Sequence, residues 1–231
     1  MRFSVSALIW TPFFGAPHFH LLPAIKEHGF DGFEVAFFEP LKIDAAAIRR
    51  AIENCGLEPL ACNLLPSGMN PTSDDPAVRG QTRQHFIDCI RVTAELGAKC
   101  LGGPIYAPVG YLPGRRRTPD EWQWAVECFQ SLGDTLEAHG VTLAIEPLNR
   151  FATYFLNTAA DAVALSEAIG HPSVGVLLDT FHTNIEEKDV ATAFRSTGRH
   201  LKHIQACEND RGIPGTGHVA FPAIAAALAG T

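Results

Sequence analysis

Three strand-like segments of this chain end on polar side chains able to bind a metal ion: Glu146 in VTLAIEPLNRF, Asp179 in VGVLLDTFH and Gln205 in HLKHIQACENDRG. An ionisable group at the end of an apolar run is costly unless it finds a partner. Two carboxylates and an amide oxygen are hard donors of the kind divalent cations take. Where parallel strands close into a barrel, their ends converge on one face, so residues distant in sequence can share one ion. His182 lies three residues after Asp179, one turn into the next segment, and can face the same ion or its substrate. Glu208, Asp210 and Arg211 follow Gln205, and the planar fork of Arg211 suits a substrate oxygen. His203, two residues before Gln205, points the same way along its strand as a substrate contact or a structural group.

Each of these residues also has a plainer use. Glu146 could be satisfied by backbone or by Arg150, and Asp179 could simply cap the segment after it. Glu208 could pair with Arg211 instead of touching a substrate. Glu34, in GFEVAFF, could line the same mouth or form a buried ion pair. Trp10, Phe13 and Phe14 could wall a ligand, pack in the core or meet a partner. The GIPGTG stretch, Gly212 to Gly217, lacks phosphate-loop spacing and reads as a turn.

The elements that must position these groups alternate between strand and helix. FSVSALIW, FDGFEVAFF, LEPLACNLL, AKCLGGPIY, VTLAIEPL, VGVLLD and HLKHIQAC read as seven strands. Helices are expected near Phe19–His28, from Asp44 (as N-cap) to Asn54, over Ala77–Leu96, after Thr118, near Thr158–Ile169, near Val190–Arg195 and from Phe221. Thr118-Pro119-Asp120-Glu121 combines an N-cap, a first-position proline and a capping-box acid. Such alternation argues for βαβ units around a parallel sheet. No composition break divides the chain, so residues 1–231 are expected to form a single domain. The rival, a doubly wound open sheet, is disfavoured because no strand is followed by GxGxxG or a P-loop.

Composition narrows the function classes. The 231 residues are 46% hydrophobic and 19% charged, with a formal net charge of -7. That balance disfavours nucleic-acid binding, which relies on Lys and Arg neutralising phosphates. The one basic cluster, Arg115-Arg116-Arg117, reads as a solvated loop or an anion contact. No apolar run reaches the ~18 residues of a membrane span. The six cysteines show no CxxC spacing or Cys/His zinc pattern, and the N-terminus lacks signal-peptide character. A cytoplasmic protein with reduced thiols is expected.

IEPLNRF, LLDTFHTNIEE and HIQACENDRGIPGTG, in that order and spacing, resemble the xylose-isomerase-like sugar isomerase and epimerase barrels. The pattern is most similar to ketose 3-epimerases of the tagatose and psicose type, then to hydroxypyruvate isomerase. The resemblance implies a (β/α)8 TIM barrel and a divalent metal ion, Mn2+, Mg2+ or Co2+, bound by the residues matching Glu146 and Asp179, with Gln205 as a third ligand. It implies that Glu146 is also the acid/base and that His182 and Arg211 contact substrate oxygens; Glu208 and His203 are further substrate-contact candidates by their place beside Gln205. The implied reaction is proton transfer through an enediolate of a ketose or small hydroxy-ketone.

Three departures from the family pattern qualify this. The family's eighth strand, carrying a fourth ligand and second base, has no counterpart here, so the barrel is expected to stop after the seventh βα unit. Gln205 stands where ketose 3-epimerases usually have histidine and hydroxypyruvate isomerase has glutamine. The segment commonly read NRFE is Asn149-Arg150-Phe151-Ala152. These departures keep open the alternative of a relative that binds a sugar without turnover. An unclosed barrel would expose strand edges, from which a homo-oligomer or a longer native chain is expected.

Overall fold

The computed structural model describes residues 1–229 as one parallel sheet wrapped by helices. Its strands are β1 (Ser4–Ser6), β2 (Gly32–Phe37), β3 (Glu58–Asn63), β4 (Cys100–Gly103), β5 (Thr142–Ile145), β6 (Val174–Asp179) and β7 (Leu201–Gln205). They lie side by side in sequence order, each parallel to the next, so every connection is a βα crossover. Among the described residues β1 and β7 are the edges of this sheet. Every residue of β2 and β6 is buried, as expected of parallel strands covered on both faces.

The helices are α1 (Leu22–Glu27), α2 (Ala45–Asn54), α3 (Pro76–Glu95), α4 (Pro119–Gln130), α5 (Gly133–His139), α6 (Ala159–Ile169), α7 (Thr180–Glu186), α8 (Val190–Thr197) and α9 (Phe221–Leu228). Their starts follow the expected caps. Asp44 accepts from Ala47 N, and Thr118 and Glu121 form a reciprocal capping box. No helix among the described residues is long and apolar enough to cross a membrane.

Three local differences from the sequence reading have simple causes. The first strand is three residues long because Ser6 caps a 3-10 turn, Ala7–Ile9, that carries the chain away from the sheet. The first helix is preceded by a 3-10 segment, Ala16–Leu21. The long helical run after Thr118 breaks before α5, where Gly133 lies against the His171 ring; a Cβ there would come within 2.8 Å of it.

One large core joins Phe33, Phe37, Phe86, Phe129 and Phe155 between the sheet and α2 to α6. A smaller one, with Val176, Leu178, Phe194 and Ile224, lies under α6, α8 and α9. Phe14 packs into the large core against Phe33, with ring centroids 4.6 Å apart, whereas Trp10 and Phe13 are exposed. The sheet curls far enough for Glu34 on β2 to bond with side chains of β7.

Candidate active site

The C-terminal ends of β5, β6 and β7 bring the expected residues together. Glu146 follows β5 directly, and its N–H donates to the carbonyl of Gly103 at the end of β4 (3.1 Å). Gly103 has φ +135°, and a Cβ there would strike the Asn63 carbonyl, so this close approach of strands requires glycine. The Glu146 side chain is buried, yet its carboxylate has no hydrogen-bond partner among the described residues. His182 Nε2 stands 3.8 Å from it. Arg150, the plainer partner considered above, is committed to Glu186 at 2.9 Å. Burial, followed by the charges of Asp179 and Glu34, pushes the Glu146 carboxyl well above its ordinary range, with Arg211 opposing.

Asp179 serves as the considered cap and also pairs with Arg211. Oδ1 accepts from Phe181 N at 2.7 Å and so caps α7, while Oδ2 takes Arg211 Nη1 at 2.8 Å. His182 lies in the first turn of α7, buried, with Nδ1 accepting from Asn149 N (3.0 Å) and Nδ2 (2.9 Å). The Asn149 amide is oriented by Phe151 N, which donates to its Oδ1 at 3.0 Å. Burial holds the imidazole down to about 4, so the ring is neutral near pH 7 and carries its proton on Nε2. Arg211 Nη2 stands 3.0 Å from that nitrogen. Two donors therefore converge, and an oxygen acceptor lodged between them would satisfy both. Arg211 also covers the Phe181 ring at 3.9 Å. It is the one non-glycine residue with positive φ (+66°) among the described residues, a conformation that turns its side chain back to β6.

Gln205 ends β7 as the Cα partner of Asp179. Its Nε2 donates to Glu34 Oε1 at 3.1 Å and Oε2 at 3.3 Å, and His203 Nε2 bonds Glu34 Oε2 at 3.1 Å. Of the two uses open to Glu34, the buried pair is the one seen. Burial works to raise its carboxyl, but the bonds and charge of His203 and the bonds from Ser6 and Gln205 outweigh that and leave it below its ordinary range.

Glu208, expected as a substrate contact or a partner of Arg211, directs its carboxylate to its own loop. It is fully buried, and its oxygens accept from Gly215 N (2.8 Å), Val219 N (3.1 Å) and Asn209 N (3.3 Å). Three backbone donors in its own loop leave it to organise the turn that presents Arg211. In the basic cluster Arg115 and Arg116 are exposed, as a solvated loop would be; Arg115 grips Glu121 at 2.8 Å, and Arg117 bonds Asp161 at 2.7 Å while lying over Trp122. Asn149, which fixes the tautomer of His182, was not singled out in the sequence. Its place three residues after Glu146, in the turn beyond β5, was the available signal.

The donor set suits a hard divalent ion. Glu146, Asp179 and His182 each offer an atom within 4.8 Å of the others, and the unpartnered carboxylate of Glu146 is the kind of group a cation would satisfy. The protonated Nε2 of His182 fits an oxygen contact better than a metal bond.

Over residues 22–231 the chain matches the family described as xylose isomerase-like TIM barrel. It belongs to that family. Within this barrel family, a probable ketose 3-epimerase of Synechocystis sp. is 36% identical over 96% of this chain and 77% of its own length. An L-ribulose 3-epimerase of Mesorhizobium japonicum is 31% identical over 98% of this chain and 76% of its own. Such epimerases are isomerase-class enzymes. Among solved structures, the D-allulose 3-epimerase of Methylomonas sp., in complex with D-allulose, superposes with a TM-score of 0.94. It is 28% identical, covering 100% of this chain and 80% of that one. The TIM-barrel fold is thus shared, with seven parallel strands described here.

Proposed function

We propose that this protein is a metal-dependent ketose 3-epimerase of the cytoplasm whose site is formed by the ends of β5, β6 and β7. The observation that carries the reading is the buried, unpartnered carboxylate of Glu146 beside Asp179. Glu146, Asp179 and the amide oxygen of Gln205 would hold Mn2+, Mg2+ or Co2+. The ion supplies Lewis-acid stabilisation of the charge that develops on the ketose oxygens.

The protein's own groups account for the rest. His182 Nε2–H and the Arg211 guanidinium hold a substrate oxygen between them. Glu146 takes the proton from the carbon beside the carbonyl: the C–H pair moves toward the carbonyl oxygen as the enediolate forms, and the proton rests on the carboxylate. The burial that raises the Glu146 carboxyl brings its proton affinity closer to that task. Inversion requires the proton to return on the opposite face, so exchange and inversion can be measured separately.

The test is deuterium wash-in. Protein loaded with Mn2+ is incubated in D2O with D-psicose, D-fructose or L-ribulose, and the sugar is followed by NMR. Deuterium at C3 is expected, with the C3 epimer appearing when both faces are served. A loaded protein that binds the ketose and leaves C3 protonated would instead be a sugar-binding relative without turnover.

A further inference from the structure

Glu34 lies on β2, yet two of its partners are on β7, 169 and 171 residues further along the chain. It sits beside Ser6 in the β1–β2 register and is 3% exposed. Each of its two oxygens lies within bonding distance of Gln205 Nε2. A side-chain amide has one oxygen end and one NH2 end, and the two are nearly equal in shape. Nothing in the shape of the residue decides which end turns toward Asp179, its neighbour across the β6–β7 ladder. A carboxylate that accepts from the NH2 end decides it, because the reverse orientation would set three oxygens against one another.

We infer that Glu34 is a positioning residue that fixes the side-chain amide of Gln205 with its oxygen end free to bind the metal ion. The inference rests on the proposed reading of Gln205 as a ligand. His203, on the same face of β7, holds the second side of the same carboxylate, so β7 is aimed by one acid at two points. Groups that orient a ligand in this way typically change metal affinity by about 10–100-fold when altered.

The experiment is titration calorimetry of Mn2+ into five purified proteins: wild type, Glu34→Gln, Gln205→Glu, the double variant Glu34→Gln with Gln205→Glu, and Gln205→Ala. Circular dichroism and melting confirm that each is folded. Glu34→Gln keeps the shape but offers an amide that can pair with either end of Gln205, so Mn2+ should bind about 10–100-fold more weakly. A glutamate at 205 presents oxygen at both ends and needs no orienting. In that background Glu34→Gln should leave Mn2+ affinity unchanged or raise it by removing a facing negative charge. Equal losses in both backgrounds, or none in either, overturn the inference. Wild type that binds Mn2+ while Gln205→Ala binds it equally well removes Gln205 as a ligand, and with it the inference. Failure of the wild type to bind Mn2+ overturns the functional reading itself.

Discussion

Asp179 and Gln205 are Cα partners at the ends of β6 and β7, yet their polar ends are held by different neighbours. Asp179 Oδ2 is bound by Arg211 at 2.8 Å, and Gln205 Nε2 by Glu34 at 3.1 Å. One proposed ligand is thus engaged by a half-buried, rotatable cation and the other by a buried acid. Metal entry should displace the first contact and keep the second. Mn2+ at 100 times its dissociation constant should then stabilise the fold by about 2.7 kcal/mol, read as a rise in Tm. Asp179→Asn should abolish most of that rise.

Exchanging Gln205 for histidine tests the donor chemistry. An amide oxygen suits Mg2+ and Mn2+, while an imidazole nitrogen suits later first-row ions. Gln205→His should raise the affinity for Co2+ relative to Mg2+, measured by paired calorimetric titrations. An unchanged ratio would place residue 205 outside the coordination sphere.

Glu146→Gln should abolish deuterium wash-in, by at least about 100-fold. It also has a pH signature in metal-free protein. The folded state raises this carboxyl above its ordinary value of 4.5, so folding binds its proton more tightly than the unfolded chain does. Its contribution to stability is present below 4.5 and is lost as pH rises through the folded value. Melting between pH 4.5 and 8 should therefore fall less steeply in Glu146→Gln than in wild type.

Arg211 holds Asp179 with one guanidinium nitrogen and faces His182 with the other. Lysine cannot span both, so Arg211→Lys should behave almost as badly as Arg211→Ala. A loss of about 10- to 100-fold in kcat/KM for the ketose is expected, with Mn2+ affinity little reduced. Full rescue by lysine would reduce the role to simple charge.

Glu121 shows the opposite pH sign, away from the site. Burial works to raise its carboxyl, but Arg115, the Thr118 N–H and the Tyr154 hydroxyl overcome that and lower it. Its stabilisation is present above the ordinary 4.5 and is lost as pH falls through the folded value. Glu121→Gln should lower Tm by a few degrees at pH 7, about 2–4 °C per kcal/mol lost, and the deficit should vanish in acid.

Local chemistry was legible in the sequence wherever a residue acts on its immediate neighbours. Asp44, Thr118 with Glu121, and Thr158 begin their helices as their types dictate. Glu146, Asp179 and Gln205 converge because strand ends of a parallel sheet share one face. What could not be read depends on groups far apart in the chain. Periodicity places Glu34 on an inward face of β2 but is silent about a partner on β7. Nor does composition reveal that Arg211 adopts a positive φ, since glycine or asparagine is the usual choice there. The hold on Glu208 is hidden for a related reason: its backbone donors exist only once its loop has closed.

The link from Glu34 to β7 has a consequence for the timing of synthesis. Glu34 precedes Gln205 by 171 residues, which at about 5–20 residues per second is roughly 10–30 s of translation. Through that interval an acid flanked by Phe33 and Val35 lacks the two nitrogens that later make its burial tolerable. The pairing that satisfies the acid of the second strand thus becomes possible only once β7, five strands further along, has emerged.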